Sequence, residues 1–189
     1  MTFWQDPLLE PKRQYKFILS IQGGRSPNAP PLQQFLVKKV GKPSWTVSET
    51  EHKFLNHSFW YPGRTTWEAI DATVVDTVDP TANATQTVMH MLEESGYELP
   101  TTPQGTTGWG TVSKNKAIDQ ALGQVRIKTI DSSGETVEEW VLNNAWIQKA
   151  TFGDLAYDNE ELTEVTLTLR YDNAYVHVEQ GDGKIPSAS

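Results

Sequence analysis

The sequence predicts a mainly β protein, an antiparallel β-barrel or sandwich with one flanking amphipathic helix and a second short helix. Three observations carry that expectation. Runs rich in Val, Ile, Thr and aromatic residues alternate apolar with polar side chains at the period of a strand. Gly, Pro, Asn and Asp interrupt these runs at short intervals. Apolar residues at helical spacing form one clear stripe, through Ala84, Val88, Met91 and Leu92.

The chain has 189 residues, the size of a single domain, which can bury a sufficient core without staples. Cysteine is absent, which excludes disulfides, thiolate metal sites and cysteine nucleophiles and suits a reducing compartment. No apolar run approaches the roughly 20 residues of a membrane-spanning helix. The N-terminal MTFWQDPLLEPKRQ has acids and prolines where a signal peptide has a basic end and an apolar core, so the expectation is a soluble protein made in a cytoplasm. The net charge is -8, from 24 acidic and 16 basic residues spread along the chain. Tight nucleic-acid binding needs a basic face, and none is visible; a neutral or acidic wall past which DNA slides is compatible with this charge.

Residues 1–14 read as an extended arm, because Pro7 and Pro11 disfavour helix, and Trp4, Leu8 and Leu9 are too apolar for a free tail. The arm lies either on its own core or on a neighbouring subunit. Residues 15–178 form the β domain. Tyr15 to Gln22 is a strand closed by Gly23-Gly24, and GGRSPNAPP is a loop, since it lacks the Gly-Lys-Ser/Thr ending of a phosphate loop and no helix follows.

Gln34 to Val40 and Ser44 to Lys53 are strands separated by Gly41-Lys42-Pro43. The second is polar on both faces, as expected of an arm of a hairpin covered by another chain. Phe54 to Tyr61 concentrates Phe54, Phe59, Trp60 and Tyr61, and Pro62-Gly63 is expected to turn the chain. An aromatic row of this kind is core, subunit interface, or a platform for a sugar or base. Glu49, Glu51, His52 and His57 could suggest a metal site, but the spacing of the two histidines puts them on opposite faces of a continuous strand. Asn56-His57-Ser58 and Asn83-Ala84-Thr85 match the glycosylation triplet but carry no meaning without secretion.

Thr66 to Val78 is read as one long strand, with Ile70, Ala72 and Val74 on one side and Trp67, Ala69, Asp71 and Thr73 on the other. Asp79 is the expected helix cap and Pro80 the first helical turn, with Gly96 as the stop and His90 exposed. Residues 97–112 form a loop. Ser113 caps a short helix that ends at Leu122-Gly123; Ser113 and Lys116 match the Ser-x-x-Lys of penicillin-binding enzymes, but the companion Ser-Asp-Asn and Lys-Thr-Gly elements are missing. Gln124 to Ile130 and Thr136 to Leu142 form a hairpin over Asp131-Ser132-Ser133-Gly134, and Ala145 to Phe152 is a further strand. Glu161 to Tyr171 alternates most cleanly, with Val165, Leu167, Leu169 and Tyr171 inward and Glu164, Thr166, Thr168 and Arg170 outward. Residues 179–189 read as a flexible tail.

These residues assemble no active site and leave many aromatics on strands that should be exposed, a pattern of an assembling structural protein rather than an enzyme. The stretch KPSWTVSETEHKFLNHSFWYPGRTTW with VVDTVDP, and the block from Val125 through EEWVLNNAWIQKATFGDLAYDNEELTEVTLTLRYDNA, closely resemble the tail tube proteins of T-even-like contractile-tailed bacteriophages. Order and spacing also match, so the resemblance covers most of residues 13–175, leaving out the extreme termini and the 97–112 loop.

The resemblance implies a tail-tube β fold in homohexameric rings that stack inside a sheath, with DNA passing down the lumen during ejection. The implied partners are copies of the chain, the tail sheath protein, and baseplate and tail-terminator proteins. It implies residence in the virion tail tube, synthesis in a bacterial host cytoplasm, and neither cofactor, metal nor catalytic residue. The lumen-lining candidates are Ala69, Asp71 and Thr73 with Glu164, Thr166, Thr168 and Arg170. Candidates for contacts between subunits or rings are Trp4, Trp45, Glu49, Glu51, Phe54, Phe59, Trp60 and Trp67. A baseplate tube initiator, the tube of a phage-derived injection device, and a monomeric carbohydrate-binding β module for host attachment remain alternatives.

Overall fold

The computed structural model describes residues 11–21, 36–79, 82–98, 110–158 and 160–178. Trp4, the Gly23-Gly24 loop, Pro80, most of the 97–112 loop and the tail from 179 lie outside the described residues.

Among the described residues, ten strands form three antiparallel sheets. The first has the order β1 (Phe17–Ile21), β6 (Val125–Ile130), β7 (Thr136–Asn143), β10 (Asn173–Val178); the second has the order β2 (Val37–Val40), β5 (Ile70–Val75), β9 (Glu164–Arg170), β8 (Trp146–Phe152). A separate two-stranded hairpin joins β3 (Trp45–Phe54) and β4 (His57–Trp67).

The two four-stranded sheets share one apolar core, and β9 shows why. Its alternation buries Val165, Leu167 and Leu169 while Glu164, Thr166, Thr168 and Arg170 stay partly exposed. Beside it Ile70, Ala72 and Val74 of β5 turn inward, and Leu19, Ile21, Val125, Ile127 and Leu142 supply the core side chains of the first sheet. Helix α1 (Ala84–Glu94) closes the core with Ala84, Val88 and Met91. Within the expected stripe Leu92 is 37% exposed, and Thr87 is buried in addition to the three apolar positions. His90 is half-exposed, with its Nδ1 3.5 Å from Glu93.

Several boundaries differ from the sequence reading for identifiable reasons. Residues 66–78 are two elements: Trp67 ends β4, Glu68 donates its backbone N–H to Ser44 at 2.9 Å, and the chain re-enters a sheet at Ile70. Pro62-Gly63 does not turn the chain but lies inside β4. The register shifts opposite it between Val47 and Glu49, and a Cβ at Gly63 would lie 2.3 Å from Ser48 Oγ. A bulge tolerates a residue without an N–H, and glycine permits the close approach. The turn is instead Leu55-Asn56, with Leu55 at φ 54°. Strand β10 was not foreseen, because AYVHV is short and ends in the polar EQGDGK.

Helix α1 begins later than Asp79 because Asp76 and Asn83 take its free donors. Asn83 is the cap, its side chain accepting from Gln86 N at 2.7 Å. Asp76 accepts from the backbone of Ala84 and Thr77 at 2.9 Å each and from the Thr85 hydroxyl at 2.6 Å. Burial pushes the Asp76 carboxyl up, but the bonds from Thr85, Thr77 and Ala84 together hold it below its usual value. Asp76→Ala should cost about 1–2 kcal/mol. It should lower the melting temperature, and an unchanged melt would show that the helix does not depend on this anchor.

The second helix is α2 (Lys114–Lys116) running into a π-helical stretch, Ala117–Leu122, closed by Gly123 at φ 66°. Ser113 makes no side-chain cap bond; its backbone N–H donates to Ser95 at 2.9 Å, which ties α2 to the end of α1. The β6–β7 turn is held as expected, with Asp131 Oδ1 accepting from Ser133 and Glu135 and Gly134 at φ 86°.

Candidate assembly surfaces

The outward face of the second sheet gathers most of the lumen candidates. Because β5 and β9 pair directly, Asp71 stands opposite Thr168 and Thr73 opposite Thr166. The Thr168 hydroxyl donates to Asp71 at 2.7 Å. Glu164 is paired with Lys38, whose pKa is raised by that hydrogen bond and charge. Ala69 is the exception among the candidates, preceding β5 instead of standing in it.

Sequence reasoning missed the rest of this face, since it required the strand order. Lys39 stands opposite Thr73, and Trp146, Lys149 and Thr151 of β8 stand opposite Arg170, Thr168 and Thr166. The face therefore mixes Asp71 and Glu164 with Lys38, Lys39, Lys149 and Arg170, with hydroxyls between them. Interspersed charge of both signs gives no continuous basic track for phosphates.

The β3–β4 hairpin is the second surface. All residues of β3 are exposed, and in β4 only Trp67 is partly buried. It carries Trp45, Glu49, Glu51, Phe54, Phe59 and Trp60, so six of the proposed contact residues project together. Trp67 anchors the base against Tyr171, with ring centroids 6.0 Å apart and planes tilted by 57°. Thr46 donates to Glu68 at 3.1 Å beside it. A cleft of about 600 Å³ opens there, lined by Thr66, Trp67, Trp146, Arg170, Tyr171 and Asp172. Burial raises the Tyr171 phenol, whereas hydrogen bonds from Lys114 and Asn144 lower the Asp172 carboxyl.

His52 and His57 do not point to opposite sides. Because the chain reverses at Leu55-Asn56, His52 stands opposite Phe59 and His57 opposite Phe54, and both histidines share one face. The expectation assumed one continuous strand.

A third surface was not read from the sequence. Leu155, Tyr157 and Leu162 are exposed beside a cleft of about 650 Å³ that Lys38 and Glu164 also line. The signal was available as apolar residues inside the polar segment GDLAYDNEELT.

Behind all three, the hairpin base and the sheets are clamped by one carboxylate. Glu138 of β7 is 8% exposed and pairs with Lys12 of the N-terminal segment and, at 2.8 Å, with Lys42 just before β3. It also accepts from the Trp140 indole. Burial works against its charge, but the bonds from Lys12, Lys42 and Trp140 lower its pKa to about 2.

Solved structures share this fold. A chain in the cryo-EM structure of the anti-feeding prophage baseplate, 6-fold symmetrised, matches with a TM-score of 0.61 at 16% identity, over 89% of this chain and 97% of that one. A chain of the sheath-tube complex of an extracellular contractile injection system, in the extended state, matches at 0.56 and 16% identity, over 95% and 99%. A chain of the anti-feeding prophage cap that terminates the tube matches at 0.56 and 17%, over 95% and 100%. Likeness at such low identity establishes the fold. No protein-family model matches the sequence, and no curated protein matches it.

Proposed function

We propose that this chain is a structural, non-catalytic tube subunit: six copies form a ring, rings stack into a hollow tube inside a sheath, and the tube is a conduit. The observation that carries this reading is the pairing of an aromatic-rich hairpin, exposed except at Trp67, with a separate sheet that turns a hydroxyl-rich face of mixed charge outward. The hairpin supplies contact area between copies, and the polar sheet face lines the lumen. The match to chains of a baseplate, a sheath-tube complex and a tube cap supports the same reading, as does the resemblance to tail tubes of contractile phages. Sheath, baseplate and terminator proteins are the corresponding partners, and phage DNA is the cargo in a virion tail.

A second reading has its own support. The three matched chains come from an anti-feeding prophage and an extracellular contractile injection system, so the chain serves equally as a tube or baseplate subunit of an injection device that carries other cargo.

Negative-stain electron microscopy of the purified protein at rising concentration tests the tube reading. Rings or hollow tubes are expected; particles that stay single and bind glycans would replace it with a carbohydrate-binding module. The lumen assignment has a separate test in Thr73→Lys with Thr166→Lys, which adds two cations on facing residues. Tubes should still form, and passage of DNA should slow because each added phosphate contact strengthens binding at low salt. Normal tubes with unchanged ejection would remove this face from the lumen.

A further inference from the structure

The outer part of the hairpin has two chemically different faces. From Glu49↔Pro62 to Phe54↔His57 the register is unbroken, so opposed residues share a side and successive pairs alternate. One face carries Thr50, His52, Phe54, His57, Phe59 and Tyr61. The other carries Glu49, Glu51, Lys53, Ser58, Trp60 and Pro62, with Lys53 Nζ 3.4 Å from Glu51. The first has no carboxylate, and its titratable groups are the two imidazoles and the Tyr61 phenol. The second holds two carboxylates against one ammonium.

Both faces are exposed, and a ribbon of two strands is marginal without a cover. Leu55 at the tip holds a positive φ while 86% exposed, a conformation that a bulky side chain disfavours. A side with two imidazoles and no carboxylate, backed by a side of net negative charge, suits a head-to-tail contact, in which each copy presents one side and receives the other; such contacts close into rings when the rotation permits.

We infer that the hairpin binds a second copy of this chain by laying its histidine and aromatic face against the Glu49, Glu51 and Trp60 face of the neighbour, and that protonation of His52 and His57 strengthens the contact. This rests on the tube reading, since it assigns the partner and the regulation of the hairpin proposed there. Histidine is the side chain that ordinarily changes charge between pH 5 and 8, whereas an ordinary carboxylate does not. An imidazole facing a carboxylate in the assembly has its pKa raised on association. The added stability is therefore present at low pH and lost as pH rises.

Sedimentation of the purified protein at about 0.15 M salt tests this. Between about pH 8 and pH 6 the concentration needed for half-association should fall on the order of five-fold, the scale of two exposed ion pairs. His52→Asn with His57→Asn should abolish the dependence, and so should Glu49→Gln with Glu51→Gln. His90 and His177 lie outside the hairpin, on α1 and β10, and are left unchanged in both variants as internal controls. All four substitutions fall on exposed positions, and matching circular dichroism would confirm that the variants are folded. If rings form but the histidine variant keeps the wild-type pH dependence, the facing of the two sides is wrong while the tube reading stands. If the wild type stays monomeric at both pH values and microscopy finds no rings, the tube reading falls and this contact with it.

Discussion

Glu138→Gln should destabilise the folded chain by roughly 2 kcal/mol at neutral pH and lower the melting temperature by roughly 4–8 °C. The folded carboxyl sits at about 2 against an ordinary 4.5, which corresponds to at most about 3 kcal/mol. Lys12 and Lys42 are half-exposed, so solvent screening takes part of that away. Because the folded pKa is depressed, the stabilisation is fully present above the unfolded pKa. It disappears as pH falls from about 4.5 towards 2. Glutamine keeps an oxygen for the Trp140 indole but has no charge for the lysines. Urea denaturation of wild type and variant at about pH 7 and pH 3 distinguishes the outcomes: the stability gap should narrow by roughly half or more at pH 3. A gap that persists unchanged would mean that packing, not charge, holds this corner.

Leu167→Ala should be costlier, at about 3 kcal/mol, with a fall in melting temperature of roughly 6–12 °C. Leu167 is 0% exposed, and its register partners on both neighbouring strands are Ala72 and Ala150. Two small flanking residues leave the leucine to fill the space over the centre of the sheet. The hydrogen-bonded strand spacing then prevents the hole from collapsing. Thr166→Ala, one residue away on the opposite face, should change stability by no more than about 0.5 kcal/mol. A calorimetric scan that ranked the two substitutions the other way would invert the assignment of inside and outside for β9.

That assignment was legible from the sequence because an alternation of Val165, Leu167, Leu169 and Tyr171 with polar neighbours has one economical burial. The β6–β7 hairpin was legible for a similar reason, since Asp131 and Gly134 specify their own turn. The β3–β4 ribbon was expected as an arm of a hairpin, which it is, but its turn was misplaced. Pro62-Gly63 is the stronger local turn signal, and only the pairing of Val47 with Thr65 and Glu49 with Pro62, one residue out of step, shows that it sits in a bulge. The start of α1 was misread because Asp76 reaches it from the end of a strand, a contact invisible to a window of neighbouring residues. Among the candidate residues, the sequence could pair Asp71 and Thr73 with Thr168 and Thr166 only by guessing that two distant strands are neighbours. It had no access to Lys39, Lys149 or Trp146, which join that face through the strand order.

The ribbon formed by β3 and β4 has a kinetic consequence. Among the described residues its strands pair only with each other, so in a lone subunit their order is marginal. In the assembly proposed above, much of the conformational entropy of this arm is therefore surrendered only on docking. The first encounter of two free subunits must order both partners at once, which makes it slow and unfavourable. A subunit arriving at an already ordered ring meets a fixed template and orders only itself. Growth from a seed thus outpaces spontaneous initiation, so purified subunits should polymerise after a lag that added preformed rings shorten.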